Sequence, residues 1–182
     1  MEDVQILEYT FRETEDMGPV TTLLEGHVFH VTKQRFLPAI RKTGYLLPNE
    51  AGTRPSTFGL RSNSFFLRRG CVSLFDYRTI PDDPDYRRRC WPLQAAEPGG
   101  DGIAILFIDS ALHDRLIPWT KWNDERAWSE VVVPYVEAGF QGPLPLTHIE
   151  RVVLVTVLED PNSLAAIVRG ARTESQNNEG IG

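Results

Sequence analysis

The chain of 182 residues has few cysteines, few lysines and no long apolar run. Its two cysteines, Cys71 and Cys90, are too few for a disulfide framework, and no CxxC pair indicates zinc. No apolar stretch approaches the roughly 18 residues that span a bilayer, and the acidic start lacks the apolar core of a signal peptide. We therefore expect a cytoplasmic protein with reduced thiols and no membrane contact, although export without an N-terminal signal stays open.

The charge balance argues against a protein that coats nucleic acid. Lys plus Arg total 19 against 25 Asp plus Glu, which gives a formal net charge of −6. This argues against a protein that coats nucleic acid through net charge, because phosphate binding needs a basic surface. The only lysines are Lys33, Lys42 and Lys121. The positive charge is thus nearly all arginine, which suits bidentate phosphate recognition in a local groove.

The length fits one domain, which we assign to residues 1–172, followed by a polar, glycine-bearing stretch at 173–182 that predicts a disordered tail. Short β-branched runs and a few capped helical patterns predict an α+β fold. A proline-rich excursion at 79–102 predicts a long irregular loop. The predicted strands are His27–Thr32, Phe65–Leu67, Cys71–Phe75, Gly102–Ile108, Glu130–Pro134 and Ile149–Leu158, and the predicted helices are Lys33–Lys42 and Asp109–Leu116.

The four histidines do not predict a metal site. His27 and His30 are three residues apart, and such residues on a strand point to opposite faces. His113 and His148 lie near no other histidine in the sequence. We therefore expect no metal.

Two polar side chains stand out on predicted strands. His30 shares a strand face with Thr32, while Phe29 points to the other face, so one face is expected to be polar. Glu130 opens a valine-rich run, where a carboxylate is costly unless it is paired or lies in a cleft. From the residues alone, a structural histidine and a glutamate that is solvated or paired with Arg126 are the simpler interpretations.

Two stretches resemble NAD-dependent ADP-ribosyltransferases of the DarT-like kind. Phe29-His30-Val31-Thr32, then Ile40 and Gly44-Tyr45-Leu46, resemble the opening strand–helix unit. Residues 125–157 resemble the end of the family: a loop, a glutamate that starts a strand, a Pro-Leu-x-x-Ile turn at 145–149 and a final valine-rich strand. A weaker match at 67–78 lies where the second strand of the family is expected.

The resemblance implies two small, mostly antiparallel sheets that flank an NAD cleft, and a glycosyltransferase that uses NAD as substrate. Glu130 falls on the catalytic glutamate position. That carboxylate would stabilise the positive charge that develops on ribose as nicotinamide leaves. His30 and Thr32 would bind a ribose hydroxyl and the nicotinamide amide.

The resemblance also implies a ring that stacks on nicotinamide and an arginine that holds the pyrophosphate. Phe75, Tyr77 and Tyr45 are the candidate rings. Arg69 is the favoured arginine because it lies just before the second predicted strand. The other candidate arginines are Arg54, Arg61 and Arg68.

The implied acceptor is a protein or a nucleic acid, as in a toxin, effector or defence enzyme. Trp128 stands where arginine-modifying relatives carry Gln or Glu, which disfavours an arginine acceptor. Two alternatives stay open: a non-catalytic binding module of the same fold, and an RNA 2′-phosphotransferase-like enzyme. The second alternative predicts that Arg54, Arg61 and Arg69 cluster around His30.

Overall fold

Nine strands form two sheets in the computed structural model, which describes residues 4–49, 51–53, 56–58 and 62–163. A seven-stranded sheet has the order β1-β9-β5-β2-β4-β7-β6, and β3 pairs with β8 in a two-stranded sheet. Only the β1–β9 pair is parallel among the described ladders. The strands are β1 Gln5–Arg12, β2 Val28–Lys33, β3 Tyr45–Leu46, β4 Cys71–Asp76, β5 Ile103–Ile108, β6 Ile117–Pro118, β7 Glu137–Gln141, β8 Leu144–Pro145 and β9 Ile149–Leu158.

The helices within the described ranges are short, and the longest of them have seven residues. The predicted helix at Lys33–Lys42 is a 3₁₀ turn followed by α2, in which Pro38 occupies the first turn, where its missing N–H is harmless. Gly44 ends α2 with a φ of 74°, a left-handed value that glycine adopts readily. The predicted helix at Asp109–Leu116 is a 3₁₀ segment. The α-helices are α1 Gly18–Leu24, α2 Leu37–Thr43, α3 Pro84–Arg89 and α4 Lys121–Asp124.

The single-domain α+β class is confirmed, but the arrangement of the strands differs from the expectation. Two small sheets were expected, whereas one large mixed sheet carries most of the strands. The predicted tail at 173–182 lies outside the described residues. No helix within the described ranges is long and apolar enough to cross a membrane.

Each face of the large sheet packs against its own apolar core. Phe29 and Val31 of β2 belong to one core, and Val28 belongs to the other. The predicted polar face of β2 was wrong, since Val28 is fully buried and Thr32 is 6% exposed. Leu37 of α2 is part of the core on that face, together with residues of the two-stranded sheet. These layers bury Val28 and Thr32 on the strand face that was expected to be polar, while His30 on the same face stays partly exposed.

The junction between β2 and β4 is short and divides the large sheet into two halves. These strands pair only at Val28–Asp76 and Phe29–Phe75. On its other edge β2 pairs with β5 along the whole stretch from Phe29 to Lys33. Beyond Phe29, therefore, the half that contains β2 separates from the half that contains β4 and β7.

The predicted strand at Glu130–Pro134 was wrong. Glu130 lies in a bend, and Val131 forms only an isolated parallel bridge with Ser64. Two backbone bonds make this bridge, from Val131 N–H to Asn63 O and from Phe65 N–H to Val131 O. The predicted strand at Phe65–Leu67 is likewise a turn that leads into a 3₁₀ helix. The β-branched run has no strand edge to join, and the true strand starts later, at Glu137.

Candidate functional site

His30 lies where β2 and β4 separate. Its ring spans the gap, with Nδ1 placed 3.0 Å from the carbonyl oxygen of Ser73 on β4. A carbonyl oxygen only accepts hydrogen bonds, so Nδ1 carries the proton and donates it. Burial lowers the pKa of His30 and favours the neutral ring, although the bond to Ser73 opposes this shift. A neutral His30 with a protonated Nδ1 presents Nε2 as a hydrogen-bond acceptor.

Glu137 begins β7 on the other side of β4. It lies opposite Phe75 in the β4–β7 ladder. Its Oε2 accepts a 3.0 Å hydrogen bond from the backbone N–H of Val133, and its carboxylate also accepts from the hydroxyl of Ser73. Burial raises the pKa of Glu137, and these two bonds reduce that rise. The result is a half-buried carboxylate, held by two donors, that is more basic than an ordinary glutamate.

Ser73 connects the two titratable groups. Its backbone carbonyl accepts from His30, and its side-chain hydroxyl bonds to Glu137. One residue of β4 therefore contacts both groups, His30 through its backbone and Glu137 through its side chain. This triplet contains a hydrogen-bond acceptor, a hydroxyl and a basic carboxylate within one short segment of the sheet.

Phe75 adds an aromatic surface beside Glu137, on the face of the sheet to which Phe29 points. Its ring stacks on Phe29, with centroids 5.3 Å apart and planes within 5°. Phe58 approaches it edge-on at 5.2 Å. Since Phe75 and Glu137 are paired residues of neighbouring antiparallel strands, their side chains emerge on the same face. The predicted ring and the carboxylate found in the structure are thus neighbours.

Arg69 and Glu130, both predicted site residues, contact each other rather than His30. Glu130 Oε2 lies 2.5 Å from Nη1 of Arg69, and Oε1 lies 3.2 Å from Nη1 of Arg68. Arg69 also donates to Glu125 and to the carbonyl of Phe65. Its guanidinium stacks 3.6 Å above the centre of the Phe65 ring. The two carboxylates raise the pKa of Arg69 against the opposing effect of burial. This arginine is already satisfied by carboxylates.

The remaining predicted residues are not joined to the triplet by a described contact. Thr32 is buried further along β2, opposite Ala104. Tyr45 begins the two-stranded sheet and is 44% exposed. Tyr77 packs in the core and donates to the carbonyl of Cys90, and burial raises its pKa. Arg54 and Arg61 lie outside the described residues.

Sequence reasoning missed Ser73 as a link and Glu137 as a candidate. A signal for Glu137 was present, because this residue lies closer than Glu130 to the Pro-Leu-x-x-Ile turn. The valines after Glu130 concealed it, since β-branched residues favour strands in any window that contains them.

No metal-binding group of three His, Cys, Asp or Glu side chains occurs among the residues that the structure describes. Comparison of the chain with protein-family models, with curated proteins and with solved structures gives no match.

Proposed function

We propose that the chain is an NAD-dependent ADP-ribosyltransferase in which Glu137, rather than Glu130, supplies the catalytic carboxylate. The observation that carries this proposal is that Ser73 contacts both groups where β2 and β4 separate, His30 through its backbone carbonyl and Glu137 through its hydroxyl. The resemblance described above asks for a glutamate that starts a strand before the Pro-Leu-x-x-Ile turn. Glu137 meets that description, whereas Glu130 lies in a bend and is neutralised by two arginines.

The chemistry of the triplet suits cleavage of a nicotinamide–ribose bond. That reaction breaks the bond between C1′ of ribose and the ring nitrogen of nicotinamide, which leaves as a neutral molecule with the electron pair. Positive charge develops on the ribose ring, and a fixed carboxylate beside it lowers the barrier. Glu137 is held by Val133 and Ser73 and needs little reorganisation to act in this way.

His30 and Glu137 divide the remaining tasks. Nε2 of His30 accepts a hydrogen bond from a ribose hydroxyl, because Nδ1 is committed to Ser73. The raised pKa of Glu137 makes it a better base for the proton that the acceptor releases when it attacks C1′. Phe75 offers a flat apolar surface for the nicotinamide ring next to this carboxylate.

The contacts of Arg69 give less support to one of the two alternatives. An RNA 2′-phosphotransferase needs convergent arginines around the histidine, but Arg69 binds Glu125 and Glu130 instead. In the same way, Arg69 would hold a pyrophosphate only after release from these carboxylates.

A matched pair of variants tests the assignment. We expect purified wild-type protein to release nicotinamide from NAD and Glu137→Gln to lose about 100-fold or more of that rate. Glu130→Gln, assayed below its unfolding temperature, should stay within a few-fold of wild type. The reverse pattern would return the role to Glu130. If the wild-type protein neither binds NAD by calorimetry nor releases nicotinamide, the proposal is overturned and the non-catalytic binding module becomes the favoured alternative.

A further inference from the structure

Strand β1 has a long backbone edge that pairs with no other strand in the described part of the chain. It has eight residues and lies at one end of the seven-stranded sheet, whereas β6 at the other end has two. Open edges of this length pair with other strands unless proline, a bulge or charge blocks them. β1 contains no proline and keeps a regular eight-residue register with β9, so two of the three usual blocks are missing.

The direction of the backbone N–H and C=O groups shows which residues of β1 can pair with another strand. Glu13 N–H donates to Leu158 O of β9, and alternate residues of a parallel strand point to the same side. The backbone groups of Arg12 therefore face outward, and both are bonded to Glu15. The Arg12 N–H donates to Glu15 Oε2 at 2.8 Å, and the Arg12 carbonyl accepts from the Glu15 N–H at 3.0 Å. The outward groups of Ile6, Glu8 and Thr10 have no partner among the described residues.

We propose that β1 pairs antiparallel with β1 of a second copy of this chain, about a two-fold axis at Tyr9. This register places Glu8 opposite the partner's Thr10, and Thr10 opposite the partner's Glu8. Both residues have open backbone groups, so four intermolecular hydrogen bonds form. The two sheets become one continuous sheet of fourteen strands, twice the seven of each chain.

Charge and ring positions select this register over its neighbours. A two-fold axis at Glu8 would set two carboxylates directly opposite each other, which destabilises a pair of strands. An axis at Thr10 would pair Glu8 with Arg12, whose backbone Glu15 already occupies. An axis at Tyr9 moves the two Glu8 carboxylates from directly opposite to diagonal positions, and it brings each Glu8 diagonally close to the partner's Arg12, within reach of its long side chain.

The aromatic side chains continue the same pattern. Tyr9 and Phe11 are stacked, with centroids 6.2 Å apart and planes within 4°. An axis at Tyr9 places the two tyrosines side by side, so four rings line one face of the joined strands. A single strand-to-strand contact is below the size of a standard interface, and we expect a reversible dimer whose fraction rises with concentration.

Analytical ultracentrifugation of the full chain tests the proposal from about 1 to about 500 μM. We expect the average mass to rise above the monomer mass of 20.6 kDa. Glu8→Arg and Arg12→Glu should each weaken association about 5-fold or more, because two symmetric pairs become repulsive. The double variant restores opposite charges and should return to within about 2-fold of wild type. A monomer at every concentration, or a double variant as weak as either single variant, would overturn the proposal.

Cysteine cross-linking fixes the register. Residues on the axis form a non-hydrogen-bonded pair with Cα atoms about 4.5 Å apart, within disulfide range. Tyr9→Cys should therefore cross-link rapidly on mild oxidation. Thr10→Cys is the matched control, because its copies lie about 8 Å apart, too far for a disulfide. Faster cross-linking of Thr10→Cys would refute this register. Slow amide exchange of Glu8 in a purely monomeric sample would show that this chain covers its own edge.

Discussion

Replacement of Glu130 by glutamine should destabilise the protein, because this carboxylate neutralises two arginines. Its side chain is 14% exposed and contacts Arg69, which is 24% exposed, and Arg68, which is 54% exposed. Breaking a fully buried pair from one side costs about 3–5 kcal/mol. Arg69 keeps Glu125, and the more exposed Arg68 can be solvated, so we expect about 2 kcal/mol.

Chemical denaturation at neutral pH measures this loss directly. For a chain of this length, about 2 kcal/mol also lowers the melting temperature by roughly 4–8 °C. Glu125→Gln provides the internal comparison. Glu125 is 36% exposed and pairs with Arg69 alone among the described residues, so its replacement should cost about 1 kcal/mol.

The strongest test of this prediction is the order of the two losses in unfolding free energy, which should be larger for Glu130→Gln than for Glu125→Gln. If Glu130→Gln changes the free energy of unfolding by less than about 0.5 kcal/mol, the ion pairs contribute no more than an ordinary surface contact. If Glu125→Gln costs more than Glu130→Gln, the structural reasoning about burial is refuted. Either result would reopen the question of what Glu130 does.

Three further predictions concern packing, capping and pH. Gly139→Ala should cost about 1–3 kcal/mol on denaturation, since its Cβ would lie 2.2 Å from Cδ1 of Phe66; an unchanged midpoint would contradict this packing. Asp83→Ala should cost about 1 kcal/mol, because Asp83 accepts from two N–H groups at the start of α3, whereas Asp83→Asn should be nearly neutral. Burial raises the folded-state pKa of Glu137, so its ionisation penalises folding once pH rises above the unfolded-state pKa. The stability of Glu137→Gln relative to wild type should therefore increase from pH 4 to pH 7; a constant difference would show that Glu137 titrates normally.

Long apolar strands were the most predictable part of the fold. The Ile149–Leu158 strand was predicted with the bounds that it has, and β5 differs only at Gly102. Both strands lie inside the sheet and are rich in apolar, β-branched residues. Burial and β propensity therefore predict the same structure, a strand, for both segments. The end of α2 was predictable for a different reason, because Gly44 is a typical C-terminal cap of a helix.

Strands that depend on a partner were harder to predict. β1 has mixed polarity and lies at an edge, so its sequence carries little hydrophobic signal. Glu130–Pro134 shows the opposite error: three valines favour a strand, but the neighbouring chain at 63–65 offers only an isolated bridge. Propensity describes how a residue fits a pleated surface, and it does not say whether such a surface is within reach.

The candidate site could be predicted only in part for the same reason. His30 was identified from its strand, and the structure keeps that strand. The carboxylate was assigned to Glu130 because the valine-rich run that follows predicted a strand, and that strand does not form. The link through Ser73 uses one backbone carbonyl and one hydroxyl from a strand distant in sequence, and no local pattern encodes such a contact.

The packing beneath β7 determines which face of the sheet Glu137 occupies. Gly139 lies two residues further along β7, opposite Ser73, and the ring of Phe66 fills the space where a side chain would be. Because strand side chains alternate, a slip of one residue would move Glu137 to the other face and bring Ala138 or Phe140 against that ring. The absence of a side chain at Gly139 therefore favours one register, and this register aligns the carboxylate with Ser73. Loss of stability in Gly139→Ala should for this reason be accompanied by a changed pKa of Glu137, measured by carboxyl NMR. A normal titration in a destabilised variant would show that the register does not depend on this contact.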